Sequence, residues 1–272
     1  MGRELARYDA AASRAACQII AAYSTSFSMA ARLLRGQMRR DICHLYAMVR
    51  TADEMVDGAA EGDIGKLLSE YEEAVVAAPG TRFHADPVLH AYAMTARRCG
   101  FREEHVRAFF ASMRADLERS ACDAASLDRY IYGSAEVVGL LCLDVFFAGN
   151  APAELEEGAR RLGAAFQKVN FLRDCGYDAA ALGRTYYANV DEAAKARLVA
   201  EIEADLAAAR ATFPALPLAA RAGVMAAASL FAELNAQIAR TPAAVNTAFR
   251  AAGTRTLRRC SSAAAAVEAA RL

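Results

Sequence analysis

The sequence predicts an all-α protein, one domain of about ten helices around an apolar centre over residues 1–272. Three observations predict it. The composition is rich in alanine, lacks tryptophan and has only 6 prolines, which favours helix nearly throughout. Apolar residues recur at three- and four-residue steps, as in Ile42, Leu45, Val49, Ala52 and Val56. Start and stop signals punctuate these patterns: Asp86-Pro87 offers a capping side chain followed by proline at the first helical position, while Gly58, Pro79-Gly80 and Gly100 end runs. A chain of 272 residues can bury a sizeable core.

In order, helices are expected over 2–22, 27–34, 38–57, 62–77, 87–99 and 102–119. A hydroxyl cluster, Tyr23-Ser24-Thr25-Ser26-Phe27, interrupts the first two. The helix at 102–119 sets Phe109, Phe110, Met113 and Leu117 on one side. Residues 126–148 are apolar on every face, the mark of a central helix, with Gly133 and Gly139 pointing to a kink or to close packing. A helix beginning at Pro152 runs to about Cys175, residues 179–190 form a loop, and helices over 191–212, 217–239 and 242–259 close the chain, followed by an Ala-rich tail.

Net charge is zero, so nothing pulls the chain towards nucleic acid. Seven scattered cysteines, never in a C-x-x-C pair, read as reduced core thiols of a cytoplasmic protein. The four histidines show no ligand spacing. The first thirty residues carry charges throughout and do not resemble a signal peptide. The apolar runs from Val137 to Leu143 and from Ala222 to Ala232 stop short of the ~20 residues a bilayer requires, so contact with a membrane is expected from one side only.

Function begins with the helix at 38–57. Beside its apolar seam, Tyr46, Arg50, Asp53 and Asp57 form a second stripe. Carboxylates one turn apart repel, and a cation held between them reverses that. A solvated acidic face is the plain alternative for one such pair. A second stripe changes the weighing: Gln167, Asn170, Asp174 and Asp178 share a helix face about 120 residues later and repeat the D-x-x-x-D spacing, with Arg173 flanking them as Arg50 flanks the first. Facing each other, the stripes would converge four carboxylates and an amide on one cavity, at high cost unless compensated. Oxygen donors of this kind suit Mg²⁺, which takes its remaining ligands from water and substrate phosphate. The expectation is a Mg²⁺–diphosphate site at the mouth of an apolar cavity. Phe27, Tyr46, Tyr130 and Phe166 are candidates for walls that hold a hydrocarbon and attract an allylic cation.

These residues resemble a known family. Tyr23-Ser-Thr-Ser-Phe27, Ala31-Arg-Leu-Leu34, Leu45-Tyr-Ala47 and Arg50-Thr-Ala-Asp-Glu-Met-Val-Asp57 look like the first signature of the squalene/phytoene synthases. Tyr130 to Gly139 looks like that family's central helix, and Gly163 to Asp174, with Gly183-Arg-Thr-Tyr186, like its second signature. The resemblance covers about residues 20–190 and is closest to bacterial phytoene synthases. It implies the all-α isoprenoid synthase fold and the condensation of two geranylgeranyl diphosphates through a cyclopropyl diphosphate to phytoene. By the same resemblance Asp53, Asp57, Asp174 and Asp178, assisted by Asn170, would hold two or three Mg²⁺ ions; Ser24, Ser26, Arg50, Gln167 and Arg173 would hold diphosphate; and Phe27, Tyr46 and Tyr130 would line the reacting centre. NADPH is not expected. Prenyl diphosphates are the expected partners, with a membrane surface and downstream carotenoid enzymes as further ones.

The chain departs from the family pattern in places. Glu54 stands for the commoner second aspartate, Tyr177 for a second acid, and Phe231 for a frequent tyrosine. The segment after Tyr187 is short, and Arg250, Arg255, Arg258 and Arg259 are the candidates for a basic C-terminal segment. A squalene, dehydrosqualene or hydroxysqualene synthase using two farnesyl diphosphates stays open, as does a cyclase acting on one prenyl diphosphate or a silent binding partner. Small side chains within 126–148 and 162–166 are expected to leave room for the longer substrate.

Overall fold

The computed structural model describes residues 2–58, 60–118, 124–177, 186–187 and 190–243. Among them the fold is α-helical: α1 (Gly2–Tyr23), α2 (Thr25–Arg32), α3 (Gly36–Asp57), α4 (Ile64–Ala77), α5 (Pro87–Cys99), α6 (Glu103–Glu118), α7 (Ala124–Ile131), α8 (Val137–Phe147), α9 (Glu156–Tyr177), α10 (Glu192–Thr212) and α11 (Leu218–Arg240). The helix expected over 242–259 lies outside the described residues from 244 onwards.

Local chemistry sets the ends. Asp63, Asp86 and Asp191 cap α4, α5 and α10 by accepting backbone N–H groups, and Gly100 ends α5 in the left-handed conformation that an L side chain resists. Pro152 does not begin α9. It precedes a 3-10 turn, Ala153–Leu155, and the α-helix follows from Glu156.

The central run differs most from expectation. It is not one regular helix: a π-helical turn over Tyr132–Glu136 separates α7 from α8. Gly133 sits in that turn, and a Cβ there would lie 2.4 Å from the Ala108 carbonyl oxygen of α6. A Cβ at Gly139 would lie 2.4 Å from the Ala159 oxygen, and one at Gly163 only 2.3 Å from the Ala135 oxygen. The small residues thus bring the π turn into backbone contact with α6 and α9, and α8 with α9. Gly139 and Gly163, with the small neighbours Ser134 and Ala135, also line the cavity described below. The π turn carries helical structure past Gly133, so the run Ala125–Phe147 reaches bilayer length, as does the helix Leu218–Arg240, each with about half of its most apolar window buried inside the protein (50% and 44%).

Two apolar clusters flank the middle of the molecule. Leu45, Met48, Tyr92, Phe109, Phe110 and Leu141 form the first, and Val169, Leu172, Ile202, Leu206, Phe231 and Leu234 the second. Burying each such side chain contributes roughly 2 kcal/mol. Polar ties fix the two helices that carry the acidic stripes. On α3, the His44 Nδ1–H donates to Thr95 Oγ1 (2.8 Å), whose proton goes to Asp41 Oδ1 (2.8 Å). Ser13 Oγ lies 2.6 Å from His44 Nε2, and with that tautomer it is the donor. Arg98 pairs with the other oxygen of Asp41. The chain links α1, α3 and α5. On α9, Lys168 and Arg161 converge on the buried Asp205 of α10, at 2.8 and 2.9 Å.

Candidate active site

A cavity of about 790 Å³ runs between the two apolar clusters. Its walls come from α1, α2, α3, α6, α7, the π turn, α8, α9, the end of α10 and α11. The seam of α3 is part of that wall: Ile42, Leu45 and Val49 face the cavity, while Met48 and Ala52 fill the core behind it. Deeper, Phe109, Met113, Phe146, Leu162 and Phe213 make the lining apolar.

One end is polar. The last two turns of α3 supply Arg50, Asp53 and Asp57, and the last turns of α9 supply Gln167, Asn170, Arg173 and Asp174. Asp57 is exposed, so this end opens to solvent. The two stripes predicted from spacing therefore face one cavity, as far as they are described; Asp178 and the Ser26 side chain lie outside the described residues. Ser24 also lines the cavity, and its oxygen accepts the Phe27 N–H (3.1 Å) to cap α2.

The arginines neutralise the stripes from within. Arg50 Nη1 donates to Asp53 Oδ2 (2.6 Å), its Nη2 pairs with Glu54, and its guanidinium lies 4.5 Å from the centre of the Tyr23 ring. Its Nε is buried with no hydrogen-bond partner among the described residues. Arg173 holds Asp174 with two bonds, 2.9 and 2.5 Å. Burial pushes the Asp53 carboxyl up to about 6, with Arg50 opposing and the neighbouring Asp57 and Asp116 adding to the rise.

The donor set fits a hard cation held partly by its substrate. Carboxylates and an amide oxygen approach one space from two helices. Among the described residues no three acidic, histidine or cysteine side chains form a self-sufficient cage. Mg²⁺ bridging to diphosphate needs none, since it keeps water and phosphate oxygens in its shell.

The aromatic wall holds the predicted Phe27, Tyr46, Tyr130 and Phe166. Phe27 lies 6.5 Å from Tyr46, 6.1 Å from Phe166 and 6.0 Å from Phe231 between ring centres. Phe231 stacks on Phe166 at 3.9 Å, so the position read as a lost tyrosine is a packed piece of the wall. Sequence reasoning placed Tyr186, Phe171 and Ser134 within the signatures but gave them no role, and it missed the buried Asp116. Tyr186 stacks on Phe171 at 4.1 Å, and both line the cavity. Asp116 carried a legible signal: it continues the Phe109, Met113 step, a carboxylate in an apolar stripe.

The model of the family described as squalene/phytoene synthase matches residues 20–189, well over half of the chain and inclusive of both stripes. The chain belongs to the squalene/phytoene synthase family. Among its relatives in this family, 4,4'-diapophytoene synthase of Staphylococcus haemolyticus (strain JCSC1435) is 31% identical over 164 residues, 59% of this chain and 57% of that protein. Phytoene synthase of Arthrospira platensis is 32% identical over 184 residues, 62% of this chain and 58% of that one. The match thus spans less than three-fifths of each relative. The fold matches squalene synthase HpnC from Alicyclobacillus acidocaldarius with a TM-score of 0.75 at 21% identity, over 85% of this chain and 94% of that one. A dehydrosqualene synthase in complex with ligand matches with 0.72 at 21% identity, over 96% and 97%. The squalene/phytoene synthase member described here accordingly has the isoprenoid synthase fold, with its two signature stripes on α3 and α9.

Proposed function

We infer that this protein is a prenyltransferase that condenses two prenyl diphosphates head to head, that the substrate is geranylgeranyl diphosphate, and that the product is phytoene. The observation carrying the reading is the meeting of the Arg50, Asp53, Asp57 stripe and the Gln167, Asn170, Asp174 stripe at the open end of an apolar cavity. Bound Mg²⁺ supplies charge neutralisation that makes diphosphate a leaving group, and Asp53, Asp57, Asn170 and Asp174 are the described residues that would hold it. Arg50, Arg173 and Gln167 bind and orient the phosphate oxygens; both guanidiniums already lie at the cavity, and the bonds they now make to Asp53 and Asp174 are the ones a diphosphate would compete for. The apolar lining excludes water from the allylic cation left behind, and the rings of Phe27, Tyr46, Tyr130 and Phe166 attract it through their faces.

A second reading, dehydrosqualene formation from two farnesyl diphosphates, is favoured by the relative named 4,4'-diapophytoene synthase, whose identity is within one per cent of that of the phytoene synthase. Incubation of purified protein with Mg²⁺ and each diphosphate, followed by identification of the hydrocarbon, separates the two. Phytoene from geranylgeranyl diphosphate is expected. A C30 hydrocarbon from farnesyl diphosphate with geranylgeranyl diphosphate untouched overturns the substrate assignment.

A further inference from the structure

Asp116 belongs to neither acidic stripe and does not line the cavity, yet it is tied to two residues that do. It sits near the end of α6, only 8% exposed. The Tyr130 hydroxyl donates to its Oδ2 at 2.6 Å and the Tyr186 hydroxyl to its Oδ1 at 3.0 Å. The two phenol oxygens lie 3.4 Å apart. Each phenol has one proton, and both protons point at Asp116. The oxygens are thereby directed at a residue behind the wall, and what Tyr130 and Tyr186 present to the cavity is ring. Their rings form one aromatic surface with Phe171, with centres 5.2 Å apart for the tyrosine pair, 5.8 Å for Tyr130 and Phe171, and 4.1 Å for Phe171 and Tyr186.

Resting on the carbocation chemistry inferred above, we propose that Asp116 is a positioning residue: by accepting both phenol hydroxyls it keeps two nucleophilic oxygens off an allylic cation and turns ring carbon towards it. The charge also works in the same direction. A phenol that donates to a carboxylate is more electron-rich, and a more electron-rich face attracts a cation more strongly. A phenol oxygen released into the cavity would do harm in a defined way. The carbon–oxygen bond to diphosphate breaks, diphosphate leaves with the bonding pair, the tyrosine oxygen bonds to the allylic carbon, and the phenolic proton passes to water. The product is a prenyl ether on the protein. Water entering by the same route gives a prenyl alcohol.

The test uses the full chain with Mg²⁺ and a prenyl diphosphate, and measures hydrocarbon formed per diphosphate released. In Asp116→Asn the amide oxygen can accept one hydroxyl while the amide hydrogens force the other phenol to turn. The ratio is expected to fall by about tenfold, with the missing carbon recovered as prenyl alcohol or as an ether on a peptide containing Tyr130 or Tyr186. Adding Tyr130→Phe and Tyr186→Phe to Asp116→Asn should abolish the ether and raise the ratio again. An unchanged ratio in Asp116→Asn, with only the overall rate or the melting temperature lowered, overturns the proposal and leaves Asp116 a structural residue. If Asp116→Asn does not fold, Asp116→Glu, which keeps the charge but displaces it by one methylene, should shift the ratio in the same direction, and no shift overturns the proposal. The ratio counts coupled and cyclised hydrocarbon alike. Wild-type protein that yields only cyclised product defeats the head-to-head reading and leaves this test intact, whereas wild-type protein that releases no diphosphate defeats both.

Discussion

Asp53 shows how little of a side chain's role is set by its own helix. Its spacing from Arg50 and Asp57 could be read directly, but its raised carboxyl depends on burial and on Asp116, which arrives from α6. Below about pH 6 the metal-free carboxyl is protonated, and a cation must displace that proton to bind. Mg²⁺ affinity, followed by titration calorimetry, should therefore hold above pH 6 and fall towards pH 5 by up to about tenfold per unit. Asp53→Asn and Asp174→Asn should each lower turnover by about a hundredfold or more while the helical circular dichroism is retained. His44 gives a stability prediction with the opposite relation to function. Burial lowers its value from 6.5 to about 4, so the unfolded chain takes up the proton first as pH falls. The neutral-imidazole contribution is complete above about pH 6.5 and is lost between 6.5 and 4, up to about 3 kcal/mol. Chemical denaturation of the wild type and of His44→Gln across that window checks it: the variant should lack this part of the pH dependence. Residue types and spacings were legible at this scale, including Arg50, Asn170 and Tyr130. Partnerships formed across helices, such as Asp116 with Tyr130 and Tyr186, were not, because nothing in the order of residues states which faces meet.

At the scale of elements, α3 and α9 were foreseeable because each carries an apolar seam with a polar stripe beside it. The π turn between α7 and α8 was not. The Gly133 and Gly139 signals admitted either a kink or close packing, and the choice depends on the carbonyls of Ala108 and Ala159, which belong to other helices. Gly163→Ala should lower stability by about 1–3 kcal/mol, because its new methyl meets the Ala135 backbone oxygen and the π turn must move away from α9. Thermal unfolding of this variant beside Gly65→Ala isolates the cause. At Gly65 the added Cβ meets only Asp63 Oδ1, at 3.6 Å, so that change should be neutral or slightly stabilising. Equal changes in both variants would show that the close approach of Gly163 to the π turn adds nothing beyond helix propensity, which favours alanine.

For the whole molecule, the fold class followed from composition and periodicity, since a chain so poor in strand and turn formers has few other ways to bury its apolar side chains. That the two stripes share a cavity followed only from the chemical argument that unpaired carboxylates are too costly to collect without a cation, and the structure places both sets at one open end. The shape of the apolar interior was beyond sequence reasoning. It is set by how α2, α8, α9 and α11 pack, and the small residues that line it also draw helices together. The central claim is that α3 and α9 form one Mg²⁺–diphosphate clamp. The most direct measurement is calorimetric binding of a non-ionisable thio-diphosphate analogue of geranylgeranyl diphosphate, with and without Mg²⁺, to wild type, Asp53→Asn and Asp174→Asn. The clamp predicts Mg²⁺-dependent binding that weakens by about tenfold or more when either helix loses its carboxylate. Binding that is indifferent to Mg²⁺, or that survives the loss of either aspartate unchanged, would contradict it.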